Sequence, residues 1–443
     1  MAEEEIQIDV DIPAQELILA ASKHDIPTLK THLKTTSANV QDPDSLFTPL
    51  HAAIAACALD EGDEEESAPE LVDAATTQNG EETKPAGLSK EELDAVKETV
   101  QILLENGAIW NDLDKNDETP GCIAHKLGLE ELYEMMVNAG VRAELLLSRL
   151  DEYQQLGDEE VDENPDVGEQ LLDESEKSEK PGEQVNGGTD DTTQSQGESS
   201  EPAPLQQPEP EQPSLPSPDA ADSNPAYLSS SLSFTSSSIL DSSTNAVMMS
   251  WESTLMTTTA KNLLPTPGLR VLNIGFGMGI IDTAFQSHAP TAHHIIEAHP
   301  SVLERLHSSG WSSKPGVVIH AGRWQDILPA LLASPDPPTF DAIYFDTFAE
   351  SYADLRRFFS EYVIGLLDAD GKWSFFNGMG ADRRISYDVY QRIVEIDLFE
   401  AGFEVQWGDV EIGDLEAGGD WEGVKRKYWV LDRYRMPICK FLG

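Results

Sequence analysis

Residues 271–279, Val-Leu-Asn-Ile-Gly-Phe-Gly-Met-Gly, constrain this chain more than any other stretch. The apolar run from Val271 to Ile274 reads as a buried strand, and Gly275, Gly277 and Gly279 follow at a spacing of two. Ile280 to Phe285 then reads as the start of a helix. Strand, glycine turn and helix make the nucleotide site of a doubly wound α/β sheet. Glycine permits the tight turn and lets a ligand approach the backbone. A second apolar strand ends in Glu297, about 20 residues beyond the glycines, where an acid can bind ribose hydroxyls. The spacing G-x-G-x-G, rather than G-x-G-x-x-G, favours S-adenosylmethionine over a dinucleotide.

The surrounding pattern agrees with such a sheet. Residues 247–263 read as a helix. Strands follow at 271–274, 293–297, 316–320, 340–345 and 372–376, separated by helices at 280–287, 300–308, 325–332 and 351–367. This alternation implies a mostly parallel, Rossmann-like α/β sheet with helices on both faces. A helix at 386–401 ends at Gly402, and residues 403–407 and 427–431 read as two late strands. The α/β domain is assigned to residues 227–443.

The first third differs. Residues 1–13 are acidic and expected to be disordered. Two short helices, 14–23 and 28–33, precede Thr48-Pro-Leu-His-Ala-Ala53, which matches the T-P-L-H-x-A signature of an ankyrin repeat. Threonine caps a helix whose first turn holds proline. A weaker copy begins at Thr119-Pro120, 71 positions after Thr48. Residues 59–92 are acidic and rich in Ala, Thr, Gly and Pro. Setting aside these 34 residues leaves 37, near the ankyrin period of about 33. Residues 14–143 therefore read as an all-α, ankyrin-like repeat domain with a disordered insertion at 59–92. His51 reads as a turn residue rather than a ligand. Residues 151–224 read as a disordered linker, acidic and then proline-rich, with too few apolar side chains to offset ordering entropy.

Charge and cysteines narrow the partners. The 443 residues carry 81 acidic and 29 basic side chains, a net charge of −52. Phosphates would be repelled, so nucleic acid and anionic membranes are excluded as partners and a basic partner is favoured. The three cysteines, Cys57, Cys122 and Cys439, are scattered and suggest neither disulfides nor a metal cluster. No leader pattern and no run of about 20 apolar residues is evident. A cytoplasmic protein is expected; a nuclear pool stays open, though no basic cluster argues for import.

Four stretches besides the glycine loop could carry chemistry. Met248-Met-Ser-Trp-Glu252-Ser-Thr-Leu-Met256 sets an acid beside Trp and Met, against the plainer reading of an exposed helical Glu. Gly322-Arg-Trp324-Gln325-Asp326 follows a strand at the ligand edge of the sheet, where an aromatic and an amide could hold an adenine. Its plainer reading is a tryptophan packed into the core. Asp346 ends an apolar strand at the same edge, where a carboxylate is costly unless paired or solvated, or else caps a helix. Asn377-Gly-Met-Gly380 could border a substrate mouth.

Together, Met-Met-x-Trp-Glu-x-x-x-Met, Asn-Ile-Gly-Phe-Gly-Met-Gly-Ile, Ile-Ile-Glu-Ala-His, Gly-Arg-Trp-Gln-Asp and Tyr-Phe-Asp-Thr-Phe resemble the guanidinoacetate N-methyltransferases. With the ankyrin-like N-terminus, the chain resembles more closely the fungal protein arginine N-methyltransferase 2 family, the type IV enzymes. The resemblance covers 227–443 strongly and 14–143 loosely. It implies a class I methyltransferase fold and methyl transfer from S-adenosyl-L-methionine to the δ (N5) nitrogen of a protein arginine. By the match, Gly275, Phe276, Gly277, Met278, Gly279 and Ile280 would hold the methionine part, and Glu297 the ribose. Ala298 and His299 would flank ribose and adenine, Trp324 and Gln325 would contact the adenine, and Met248 and Met256 would line the pocket. Tyr227 or Phe234 would cover it. Glu252 and Asp346 match the two carboxylates that hold a guanidinium. Asp382, after the 377–381 loop, would repel the carboxylate of guanidinoacetate and so favour a protein arginine, with a basic partner such as a ribosomal protein and a monomeric enzyme. The alternatives are a guanidino small-molecule methyltransferase and a catalytically silent ankyrin adaptor.

Overall fold

The computed structural model describes residues 12–58, 88–155 and 224–443. Residues 1–11 of the acidic start, residues 59–87 of the expected insertion and residues 156–223 of the expected linker lie outside them, while residues 12 and 13, expected to be disordered, open the first helix.

Six helices form the N-terminal region: α1 (Ile12–Ser22), α2 (Ile26–His32), α3 (Pro49–Ala55), α4 (Lys90–Glu105), α5 (Pro120–Lys126) and α6 (Glu130–Gln155). The two Thr-Pro signatures do what their chemistry dictates. Thr48 and Thr119 cap α3 and α5 through their side chains, with proline in the first turn. His51 is fully buried and structural. Its Nδ1 accepts from the Thr48 N–H at 3.2 Å, and its Nε2 bonds the Glu118 carbonyl at 3.1 Å, tying one turn to the other. Two boundaries move. Ser89 and Glu92 form a reciprocal capping box, so residues 90–92 belong to α4 rather than to the insertion. α6 runs past residue 143, through the first five residues assigned to the linker.

The α/β region opens with a feature the periodicity hid. After α7 (Asn224–Ser229), strands β1 (Ser233–Phe234), β2 (Ser238–Leu240) and β3 (Ala246–Met249) form a small antiparallel sheet. Met248 and Met249 thus lie on a strand, not a helix. A 3₁₀ turn at Ser250–Glu252 leads into α8 (Ser253–Leu263).

The main sheet comprises β4 (Arg270–Ile274), β5 (Ala292–Glu297), β6 (Val317–Ala321), β7 (Phe340–Phe345), β8 (Leu367–Phe375), β9 (Phe403–Glu411) and β10 (Arg433–Phe441). Their order is β6-β5-β4-β7-β8-β10-β9. The first five are parallel, and β10 runs antiparallel to both neighbours. The crossovers are α9 (Ile280–Ser287), α10 (Pro300–Ser308), α11 (Trp324–Leu332) and a segment in which α12 (Tyr352–Arg357) continues through a π-helical stretch, Phe358–Val363, into α13 (Ile364–Leu366). This is the expected doubly wound sheet with a late hairpin. The last strand is at 433–441 rather than 427–431, because residues 427–431 turn their aromatics into a separate core.

One helix joins the two regions. α14 (Arg384–Glu400) sends Ile385, Val389 and Ile393 into the core of the N-terminal helices, and Val394 and Leu398 into the core of the sheet. Around the seam, the Tyr133 hydroxyl donates to Asp388 at 2.6 Å and Arg392 pairs with Glu134. Gly121 and Gly140 lie against it so closely that an added Cβ would fall 1.9 Å from Ile385 Cδ1 and 2.7 Å from Val389 Cγ2.

Candidate active site

The carboxyl ends of β4, β5, β6 and β7 meet at one edge of the sheet, the edge at which open α/β folds bind ligands. A cleft there holds about 1240 Å³ of space, counting its open mouth. That is room for a nucleoside-sized ligand and a second group.

The glycine loop forms its floor. Gly275 has φ +94°, and an added Cβ would sit 1.8 Å from the Asp346 carbonyl oxygen, so only glycine lets β4 and β7 close at this point. The Asp346 N–H in turn donates to the Ile274 carbonyl at 2.9 Å. Glu297, at the end of β5, accepts from the Phe276 N–H at 2.9 Å and from the His299 N–H at 2.7 Å, holding the loop against the strand. Burial pushes its carboxyl above the usual range, partly offset by those N–H donors. Beneath the loop, the buried Asn273 amide donates to the Gly275 carbonyl at 2.7 Å and to Asp282 at 2.9 Å. Asp282 also meets His293 Nε2 at 3.0 Å.

Two carboxylates face this floor. Glu252 follows β3 and is only 3% exposed, which rules out a surface helical Glu. Its Oε1 accepts from the Met249 N–H at 3.0 Å and from the Tyr428 hydroxyl. Burial pushes it up to about 7. Asp346 follows β7 and caps no helix, since α12 begins beyond Ser351. Burial, then the charges of Glu252 and Asp282, hold its carboxyl well above the usual range. Two acids that resist ionising together form a site short of positive charge.

The side wall is aromatic and polar. Tyr227 on α7 borders the cleft with its ring 4.9 Å from those of His299 and Phe348. Trp324 is packed among Phe345, Phe358 and Tyr362 and also lines the cleft. Glu350 accepts from Trp324 Nε1 at 2.9 Å, Gln325 Nε2 at 3.0 Å and Thr347 Oγ1 at 2.7 Å. Gln325 Oε1 is left buried without a partner.

Of the residues singled out in the sequence, Tyr227, Met248, Glu252, Gly275, Phe276, Gly277, Glu297, Ala298, Trp324, Gln325 and Asp346 border the cleft. Phe234, Met256, Met278, Gly279, Ile280 and His299 do not. Phe234 lies under the Arg305 guanidinium, so of the two candidate covering aromatics only Tyr227 borders the cleft. Met256 is core, 1% exposed. Met278 gives its N–H to Met248 Sδ at 3.1 Å, Gly279 and Ile280 start α9, and His299 backs Tyr227 and starts α10. Asp382 is exposed and off the cleft, and Asn377 is buried in bonds to Tyr387 and the Arg435 carbonyl; Gly378 and Met379 border the mouth instead. Sequence reasoning missed the parts played by Asn224, Glu350, Phe376 and Tyr428. The clustering of Trp421, Tyr428 and Trp429 in a glycine- and acid-rich stretch was the available signal for the last.

Comparisons with known proteins agree with this arrangement. The guanidinoacetate N-methyltransferase family profile matches residues 220–406. The chain is 52% identical over 439 residues to Protein arginine N-methyltransferase 2 of Aspergillus fumigatus, covering 98% of this chain and 97% of that one. It is 50% identical over 453 residues to the same-named protein of Emericella nidulans, covering all of both chains, and 41% identical over 464 residues to that of Neurospora crassa, covering 99% and 98%. A glycine-floored cleft with two buried carboxylates, and likeness along the whole length, lead to one assignment: this chain belongs to the protein arginine N-methyltransferase 2 family.

Proposed function

We propose that this methyltransferase moves a methyl group from S-adenosylmethionine to the δ nitrogen of arginine in a target protein. The observation that carries the reading is the placing of Glu252 and Asp346 in one cleft with the glycine loop and Glu297. The residues present suit the methyl donor. Gly275 and Gly277 leave the backbone bare, Glu297 ends β5 where ribose hydroxyls would lie, and the unpartnered Gln325 Oε1 suits an adenine amine. Tyr227 would cover the bound nucleoside. When bound, S-adenosylmethionine supplies an electrophilic methyl.

The rest is done by the chain. A guanidinium is planar and cationic, and its terminal nitrogens pair with carboxylates through paired N–H donors. Glu252 and Asp346 would fix its plane and turn the δ nitrogen toward the methyl. Positioning of this kind is worth up to about 7–11 kcal/mol in well-oriented systems. The δ nitrogen must lose its proton as the new bond forms, and the carboxylate pair accepts it as one coupled acid–base unit. Arg323, beside Trp324, is the only cationic side chain bordering the cleft among the described residues. A peptide arginine needs no cation at the Glu252 end, whereas guanidinoacetate brings a carboxylate that would need one.

The sign of the pH response follows. Capture of the cation requires both acids ionised, and Glu252 titrates near 7. The initial rate at low substrate should rise from pH 6 to 8 and level off. A rate flat over that interval would contradict the role given to Glu252.

The decisive test is chemical. The purified protein is incubated with radiolabelled S-adenosylmethionine and a cell extract, the labelled protein is hydrolysed, and the methylated amino acid is identified. N5-monomethylarginine is the expected product. Finding only ω-methylarginine would overturn the regiochemistry, and label confined to added guanidinoacetate would favour a small-molecule substrate. We further propose that α1–α6 hold two to three degenerate ankyrin-type repeats that present a surface to a basic, cytoplasmic partner such as a ribosomal protein. The paired Thr48-Pro49 and Thr119-Pro120 caps support this.

A further inference from the structure

We propose that Tyr428 is a positioning residue that aims Glu252 at the substrate. This rests on the reading of Glu252 as a guanidinium ligand and assigns that site a part supplied from the far end of the chain.

Glu252 has two oxygens with different surroundings. Oε1 accepts from the Met249 N–H and from the Tyr428 hydroxyl. Among the described residues no hydrogen bond reaches Oε2. With one oxygen doubly engaged, the carboxylate plane is set and the other oxygen is the one left for a substrate N–H. The Met249 donor is backbone three residues before Glu252 and cannot select a rotamer alone. The Tyr428 hydroxyl comes from 176 residues away and can.

The tyrosine is itself held. Its ring stacks on Trp251 at 6.0 Å and meets the edge of Trp421 at 5.3 Å, with Phe376 at 6.4 Å. The segment that carries it, between β9 and β10, is tied to β3. The Ala246 N–H donates to the Arg426 carbonyl at 3.2 Å, and the Lys425 N–H to the Thr244 carbonyl at 3.0 Å. The strand that delivers Glu252 and the segment that delivers Tyr428 are therefore fastened to each other within a few residues of both groups. Tyr428 and Glu252 both border the cleft, so the hydroxyl and the carboxylate it bonds belong to the same site.

The groups that face Glu252 are Asp346, Tyr344, Tyr428 and Tyr434. Tyr428 alone donates to it from a side chain. Removing that donor leaves the ionised form less supported, so the carboxyl should titrate higher.

The test compares wild type, Tyr428→Phe and Glu252→Gln, with total extract protein as methyl acceptor and saturating S-adenosylmethionine. Tyr428→Phe keeps the ring and its packing and loses only the hydroxyl. Its initial rate should fall by about 10- to 100-fold, the scale of one hydrogen bond to a charged group. The acidic limb of its pH–rate profile should move upward, while its affinity for S-adenosylhomocysteine stays at the wild-type value. A wild-type rate and profile in Tyr428→Phe, with Glu252→Gln inactive, would overturn the inference and leave the guanidinium site standing. An unmoved acidic limb with a lowered Tm would mark a packing role and also overturn it. Full activity in Glu252→Gln would instead overturn the reading of the site.

Discussion

Replacing Asp346 with Asn is expected to cut methyl transfer by about a thousandfold, the scale of losing one partner of a desolvated charge pair, while making the chain harder to unfold at pH 8. Both effects have one cause. Burial, then the negative charges of Glu252 and Asp282, raise the Asp346 carboxyl well above the usual carboxylate range. In the absence of a cation it is a strained group whose ionised form the fold opposes. The sign is that of a carboxyl raised on folding: its contribution to stability is intact below the unfolded-state value and is lost as pH climbs through the folded-state value. Glu252 lets the size be stated. A carboxyl moved from 4.5 to about 7 carries a penalty of about 3 kcal/mol on its ionised form. Glu252→Gln should therefore gain stability relative to wild type as pH rises from 5 to 8, and Asp346→Asn should follow the same trend. Melting curves at pH 5 and pH 8, paired with rates, check both. Equal stability differences at the two pH values would show that the acids are not held protonated.

Gly275→Ala should be the most damaging single methyl that can be added to the sheet. The methyl would have to occupy space 1.8 Å from a backbone oxygen, and at φ +94° an L side chain is strained besides. Backbone must move, and what moves is the Ile274–Asp346 junction that sets one of the two carboxylates of the cleft. A loss of about 3 kcal/mol or more is expected, together with loss of cofactor binding. Gly402→Ala is the internal comparison. Gly402 has φ +87° but nothing within 4 Å, so only the conformational cost of about 1 kcal/mol applies. Thermal melts and S-adenosylhomocysteine calorimetry on the two variants separate crowding from conformation. Similar behaviour in both would remove the close-approach argument.

Much of this was readable from local signals. Val271–Gly279, the acid at Glu297 and the alternation of apolar runs with amphipathic ones place β4 to β8 to within a few residues, because each is a property of neighbours in sequence. Glu252 and Asp346, which both border the cleft, stand out in the sequence because a carboxylate beside apolar residues is itself unusual. What escaped depends on distant residues. Met248 and Met249 form a strand only because Ser238 and Ile239 pair with them. The resemblance puts Met256 in the pocket, yet it shares the buried face of α8 with Ala260 and Leu263 and belongs to the core that includes Val271, Ile281 and Phe285. Tyr428 is marked locally only by its aromatic neighbours Trp421 and Trp429, and nothing nearby in sequence points to its partner Glu252, 176 residues away.

The seam along α14 changes what can be cut away. α14 buries one face in the sheet and another under α1–α6, and the residues it leaves exposed, Glu395, Ile396, Phe399 and Glu400, lie toward its C-terminal end. A fragment starting near Asn224 would bare Ile385, Val389 and Ile393 together, each giving up about 2 kcal/mol of burial. It would also strand Tyr133's partner Asp388 and Arg392's partner Glu134 on opposite products. The N-terminal helices are thus the outer wall of the catalytic half, and dissecting this enzyme by truncation would confuse loss of a partner with loss of a roof.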